Sequence, residues 1–412
     1  MNNRATIYGV VLTILIINLF ALAWVASFVA GGPSLVIKQV EFDGLPGWSS
    51  ADPGPALATF LRSCERLTTR PGDQPLDRLV SSERLQRLYG RVDDWRPVCA
   101  AADRLDGRQG ADVKGFFEDA FAAFLVYERG RRPGLFTGYY EPLLSGSRTR
   151  QAGFEVPLRR LPADLVSVDL GAFRADLKGR RIAGRVTSNR LSPYETRADI
   201  VSGVLEDDVP VLVWIDDPIG VFFLHIQGSG RVVLTDGTVM RVGYAGQNGH
   251  PYSSIGRILR QRGELEPDNI SLPSIKQWLE DNPDQAPDLL NQNASYVFFR
   301  DIVVDDPDLG PLGAQDVPLT ARRSLAVDRR YVPLGAPVWL DGTKPSLSSP
   351  GADEPFQTLM VAQDTGGAIR GAQRGDVFWG FGQAAEDIAG VMQHPGHMYV
   401  LVPKDLADRP SE

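Results

Sequence analysis

Ala362-Gln363-Asp364-Thr365-Gly366-Gly367-Ala368-Ile369-Arg370-Gly371, followed at once by Gly375-Asp376-Val377-Phe378-Trp379-Gly380, is the stretch richest in candidate chemistry. Acidic residues among glycines, with β-type runs on either side, put Asp364 and Asp376 on loops that meet at one end of a sheet. Upstream, Asp328 follows Ser324-Leu325-Ala326-Val327 and precedes Tyr331-Val332-Pro333-Leu334-Gly335, a similar setting. A lone aspartate in a Gly-rich turn ordinarily bonds its own backbone. Three of them, in a region poor in other reactive groups, form a candidate acid–base site.

The rest of the chain offers few competitors. Its four histidines are at 225, 250, 394 and 397; His225 sits in an apolar run and reads as core, and His394 and His397 have loop spacing but lack a third partner. HExxH is absent, so no catalytic metal is expected. GxSxG and a catalytic cysteine context are absent too. Without GxxxxGK[ST], Gln227-Gly228-Ser229-Gly230 reads as a sharp strand-to-strand turn, not a phosphate cradle. By elimination the acid–base groups are carboxylates, and no cofactor is expected.

Outward from this stretch, short strands with turn signals dominate. They are expected at 135–142, 154–158, 181–186, 209–215, 221–227, 232–235, 239–244, 296–299, 338–340, 358–362 and 398–402. Asp236-Gly237 marks a hairpin. Helices are expected at 56–67, 113–127, 253–262 and 272–280, with another opened by the capping box Ser192-Pro193-Tyr194-Glu195. Many short strands without βα alternation point to barrels with flanking helices, a mainly β fold.

The chain has 412 residues, 43 basic and 51 acidic, for a net charge of −8. Such acidity argues against a nucleic-acid partner, which needs clustered Lys and Arg. An apolar fraction of 43% excludes disorder, and the length suggests two or three domains. Residues 7–30 carry no charge and are long enough to cross a bilayer. They read as a transmembrane anchor that exports the remainder of the chain, with a cleavable signal peptide as the alternative. Residues 31–50 read as a stalk and 405–412 as a tail. In an oxidising compartment Cys64 and Cys99 are expected to form a disulfide, two buried thiols being the alternative.

The segment 317–402 resembles the 3D domain, and the exported chain resembles the membrane-bound lytic murein transglycosylase A family. The strings that carry the resemblance are Phe136-Thr-Gly-Tyr-Tyr-Glu-Pro142, Leu224-His-Ile-Gln-Gly-Ser-Gly230, Gly243-Tyr-Ala-Gly-Gln-Asn-Gly-His-Pro-Tyr252, Ser254-Ile-Gly256, Ser295-Tyr-Val-Phe-Phe299, Ala326-Val-Asp328, and Asp364 to Gly371 with Asp376. They occur in the family's order. The resemblance implies a double-psi β-barrel from 51–141 and 296–404, an inserted β-rich domain at 142–295, and a glycan groove between them.

It further implies an enzyme whose partner is peptidoglycan; with the apolar run 7–30, the expectation is a periplasmic enzyme anchored in the inner membrane by that segment. Such an enzyme cleaves the β-1,4 bond between N-acetylmuramic acid and N-acetylglucosamine, leaving a 1,6-anhydromuramoyl end. The family's acid/base aspartate falls on Asp376, with Asp364 and Asp328 as companions. Gly366, Gly367, Gln227, Ser229, Tyr244 and Asn248 are candidate sugar contacts, and Tyr139, Tyr140, Phe378 and Trp379 candidate stacking faces. Many relatives carry a lipidated cysteine just after the signal; here the first cysteine is Cys64. The residues also support two other readings: a non-catalytic peptidoglycan-binding or wall-loosening module, and an aspartic-protease-like hydrolase suggested by Asp364-Thr365-Gly366. The latter needs two such triplets, and only one occurs.

Overall fold

Strand β1 (Leu35–Val40) pairs antiparallel with β2 (Phe121–Glu128), from Leu35↔Glu128 to Val40↔Ala123. The computed structural model describes residues 35–409 except 106, 108, 109, 131, 132, 178, 179, 206, 207, 267–269, 305 and 350. The apolar run 7–30 lies outside the described residues. Within the expected stalk, Leu35–Val40 is instead a strand, its Leu-Val-Ile start pairing with β2, and Phe42–Gly44 and Trp48–Ser50 are short 3-10 helices.

Four helices fill the interval: α1 (Gly54–Thr68), α2 (Glu83–Tyr89), α3 (Val92–Asp103) and α4 (Ala111–Ala120). The first starts with Pro55 in its first turn and buries Leu57, Phe60, Cys64 and Leu67. A Cys64–Cys99 disulfide ties α1 to α3. The helix expected over 113–127 stops at Ala120, where Phe121 turns extended and β2 begins. All of β2 except Tyr127 is buried. A run apolar on every side suits a strand paired on both edges, and β2 has β1 on one edge and β17 (Gln393–Pro403) on the other.

Strand β3 (Gly134–Glu141) then leads directly into an inserted domain. Its strands are β4 (Leu143–Ser147), β5 (Val156–Arg159), β6 (Leu165–Asp169), β7 (Arg181–Thr187), β8 (Arg190–Pro193), β9 (Val211–Ile215), β10 (Ser229–Leu234), β11 (Val239–Gln247) and β12 (Val297–Asp301). Its helices are α5 (Arg197–Val201), α6 (Pro218–Gln227), α7 (Ile255–Arg262), α8 (Leu272–Asp281) and α9 (Ala286–Asn291). Six strands form one sheet in the order β12-β11-β10-β4-β9-β5, and a bridge between Arg160 and Phe299 brings its two ends together. The remaining three, β6-β7-β8, form a separate sheet. Strand β12 pairs antiparallel with β11, so Val297–Asp301 belongs to the same six-stranded sheet.

Two local expectations are corrected here. Residues 221–227 are helical, part of α6, not a strand. Pro218 opens that helix and Gly228, at φ 79°, closes it in the left-handed region. A short run apolar all round carries no period to separate helix from strand. The tetrad Gln227-Gly-Ser-Gly230 is accordingly a helix-to-strand turn. Likewise Ser192 and Pro193 end the edge strand β8, where the missing proline N–H breaks no ladder. The helix starts later, on a box in which Thr196 caps Asp199 and is capped in return.

After the insert come β13 (Ser324–Val327), β14 (Pro337–Pro345), β15 (Asp353–Asp364), β16 (Arg374–Phe381), α10 (Gln383–Ala389), β17 and α11 (Lys404–Ala407). Neighbour pairing runs β17-β14-β15-β13-β16-β3, and β3 pairs again with β17. Six strands therefore close on themselves, with β1 and β2 extending the sheet from β17. The core of this ring joins Val338, Met360, Val377 and Met398 to Trp48, Phe60 and Trp95 of the helical layer. A ring closed this way leaves no open edge among its members. The chain is mainly β with flanking helices, as its sequence suggests.

Candidate active site

Ala326 on β13 is the common neighbour of two of the three aspartates. It pairs with Asp376 on antiparallel β16 and with Asp364 on parallel β15. The two acidic positions thus flank one residue across two strand spacings, roughly 10 Å of main chain. Asp328 lies two residues past Ala326, just beyond the end of β13.

Asp376 is only partly open to solvent. On the other side of β16, parallel β3 sets Thr137 against it. The Thr137 hydroxyl donates to Asp376 Oδ1 at 2.6 Å and accepts from Arg374 Nη2 at 2.8 Å. Because a guanidinium only donates, the single threonine hydrogen is directed to the carboxyl. Oδ2 has no protein partner among the described residues. Burial pushes the Asp376 carboxyl up to about 6; Arg374 and Thr137 pull it down, and the charge of Asp364 pushes it further up.

Asp364 has both oxygens held. The Ala314 N–H donates to Oδ1 at 2.9 Å and the Tyr139 hydroxyl to Oδ2 at 3.0 Å. Burial raises its proton affinity against those donors. Burial and the neighbouring Asp364 hold the Tyr139 phenol well above its ordinary range, so it stays a donor. The Tyr139 ring lies 5.2 Å from that of Phe378.

Asp328 is of another kind. It is 1% exposed, and Arg330 grips it with Nη2 to Oδ2 at 2.5 Å and Nε to Oδ1 at 2.9 Å. The Gly371 N–H adds a bond to Oδ2 at 2.8 Å. Although burial opposes it, this set holds the carboxyl below its usual range. Asp328 is thus a fixed anion that pins the loop returning to β16. Gly371 takes φ 120° at that point, a backbone that favours glycine.

The other candidates divide. Gly366 and Gly367 lie on the open loop just after Asp364, Gly367 being exposed. Tyr244 is half exposed on β11. Gln227, at the end of α6, accepts the Tyr140 N–H at 3.2 Å. Tyr140, Phe378 and Trp379 are buried and offer no face to solvent; Trp379 Nε1 meets Met392 Sδ at 3.2 Å. Ser229 is buried at the start of β10. Asn248 is fully buried, its amide bound to the carbonyls of Glu195 and Ala294 and to the Tyr296 N–H. Those five belong to the interior. Thr137, Arg374 and Ala314 escaped the sequence reading. Thr137 stands inside the string 136–142 and Arg374 two residues before Asp376, but only strand register reveals their partners. Among the described residues no group of three or more His, Cys, Asp and Glu could hold a metal ion.

The MltA specific insert domain family matches residues 135–300, and the 3D domain family residues 323–402. The crystal structure of a membrane-bound lytic murein transglycosylase from Agrobacterium tumefaciens is 33% identical, with TM-score 0.76, over 90% of this chain and 99% of that one. This chain belongs to the membrane-bound lytic murein transglycosylase A family. Membrane-bound lytic murein transglycosylase A of Escherichia coli K12 is 34% identical over 271 residues. That alignment spans 65% of this chain and 65% of the length of the E. coli protein. The E. coli MltA structure with bound chitohexaose is 28% identical, with TM-score 0.64, over 90% of this chain and 94% of that one.

Proposed function

We propose that this protein is a peptidoglycan lytic transglycosylase in which Asp376 is the acid and then the base. One observation carries the reading: Asp376 combines a raised proton affinity with one oxygen held by Thr137 and the other free. Asp328 is clamped by Arg330, and Asp364 is bonded at both oxygens.

A glycoside hydrolase ordinarily needs two carboxyl groups, one of them for a nucleophile or an activated water. One suffices when the sugar supplies its own nucleophile. Protonated Asp376 gives its proton to the glycosidic oxygen as the C1–O bond of N-acetylmuramic acid breaks. The C6 hydroxyl of that sugar then bonds to C1 and passes its proton to the Asp376 carboxylate. The acid is restored, no water is consumed, and a 1,6-anhydro ring closes. Asp364 is held beside the acid by Tyr139 and Ala314, and any negative charge it carries favours the protonated form of Asp376.

The six-strand ring is read as a double-psi barrel, and the substrate groove as the space between ring and insert. Gly366, Gly367, Tyr244 and the half-buried Gln227 are the contacts that remain available to sugar. The E. coli relative was solved with a chitin hexamer, a β-1,4 glycan, which supports a glycan ligand here. The apolar run 7–30 is read as a tether that keeps the exported enzyme at a membrane; among the described residues no helix is long and apolar enough to cross one. Mass spectrometry of muropeptides from digested sacculi tests the reading. Wild type releases anhydro ends and Asp376→Asn releases none while still binding glycan. Reducing ends would indicate a hydrolase, and no cleavage by wild type a binding module.

A further inference from the structure

The chain crosses between ring and insert twice, at Pro142 outbound and through Asp306 to Gly310 on its return. One buried charge cluster grips both crossings. Glu141 is 0% exposed, and its Oε2 accepts from Arg231 Nε and Arg241 Nη2, both at 3.2 Å. The same guanidiniums hold carbonyls of the return crossing: Arg231 donates to Pro307 at 2.8 Å and Leu309 at 3.1 Å, and Arg241 to Leu309 at 2.7 Å. Arg231 also lies over the Phe381 ring of β16, 3.4 Å from its centroid. The Glu141 carbonyl accepts the Gly382 N–H at 3.2 Å, which fixes the outbound crossing to the ring.

Stability is a poor account of this arrangement. Three charges are taken out of water, and apolar replacements of such clusters are often neutral or stabilising. What the two crossings share is Asp364. Tyr139 stands two residues before Glu141, and Ala314 five residues after Leu309. These two supply the bonds to the Asp364 carboxyl oxygens.

We propose that Glu141, Arg231 and Arg241 are positioning residues that lock the two inter-domain crossings in register and thereby orient Asp364 beside the catalytic acid. The cluster acts at a distance, through the Tyr139 hydroxyl and the Ala314 N–H. Its consequence for catalysis rests on the reading of Asp376 given above; its consequence for Asp364 does not. Among the described residues, the titratable groups facing Asp364 are Tyr139 on β3 and Asp376 on β16, and Arg374 faces Asp376 in turn.

Full-length protein in detergent, labelled with ¹³C at aspartate carboxyls, tests this in wild type and Glu141→Gln. The Asp364 titration moves by about half a pH unit or more in the variant, with the melting temperature recorded alongside. Glycan turnover falls about tenfold with KM unchanged, as for a group acting on the reacting centre alone. In an Asp364→Asn background, Glu141→Gln has no further effect on turnover. An unmoved Asp364 titration, or the same fold-loss in that background, overturns the proposal. Should Glu141→Gln fail to fold, Arg241→Lys is read in the same way. If wild-type protein cleaves no glycan, the catalytic reading fails, and the titration alone decides the role of the cluster.

Discussion

Replacing Thr137 by valine removes one hydroxyl and little volume, and its effect on the acid can be worked from geometry. The bond from Thr137 to Asp376 Oδ1 is short, 2.6 Å, and its acceptor is charged once the acid ionises. Bonds to charged groups contribute about 1.5–3 kcal/mol. At 1.36 kcal/mol per pKa unit, losing it raises the proton affinity of Asp376 by about one to two units from its starting value of about 6. The sign is fixed because the hydroxyl stabilises the ionised form, so its loss favours the protonated form. Cleavage needs the protonated acid, and the alkaline limb of kcat/KM therefore moves upward by about one to two pH units. Release of anhydromuropeptides, monitored by chromatography from pH 4 to about 9, measures this. An unmoved limb would refute the reasoning. A limb that moves down would mean that Arg374, freed from Thr137, pairs directly with the acid.

Other outcomes are expected from the same arrangement. The ionised Asp376 is held at a cost in the folded state: its proton affinity is raised from the ordinary 3.8 to about 6, so the penalty is absent below pH 4, grows as pH rises, and reaches up to about 3 kcal/mol at neutrality. Asp376→Asn should therefore be the more stable protein at pH 7.5 by denaturant unfolding, and equal stability there would contradict the burial argument. Asp328→Ala leaves the Gly371 N–H unpaired and costs about 2–3 kcal/mol, lowering activity without displacing the pH profile; a displaced profile would give Asp328 a direct part in proton transfer. Removing the Cys64–Cys99 link, which closes a separation of 35 residues, costs about 4 kcal/mol by chain entropy. Calorimetry of the Cys64→Ser, Cys99→Ser pair checks this, and an unchanged melting temperature would show that the helical layer does not need the bond.

Much of this organisation is legible in the one-dimensional text, and the misses have physical causes. Period-two runs bounded by glycine and proline mark most strands, and Asp236-Gly237 marks its hairpin. Phe121 to Glu128 does not reveal itself, since an apolar stretch after a helix keeps its helical appearance until a partner strand is known. The same ambiguity hides α6. At the site, Asp364 and Asp376 stand in glycine-rich strings where a lone aspartate ordinarily serves its own turn, so their roles rest on the family resemblance, and Tyr139 reads from its string only as a stacking face. Thr137 and Arg374 depend on β3 lying parallel to β16 at one particular register, and no local signal encodes pairing between residues so far apart. Tyr140 and Trp379 read as stacking faces because an aromatic residue in a strand looks the same whether it points inward or outward. Their neighbours decide: Glu386 of α10 beside Tyr140, and Phe356 of β15 and Met392 around Trp379.

The acid and the hydroxyl that holds it are separated by 239 positions. The ring that joins them closes only when β17 has reached β3. A chain emerging N-terminus first thus carries Thr137 long before Asp376 arrives, and the whole insert must be made in between. An unfinished or C-terminally clipped product is inert by construction. On the proposed function, wall-cutting chemistry would therefore wait for the last stage of biosynthesis, with closure of the ring doing the work that an inhibitor would otherwise do.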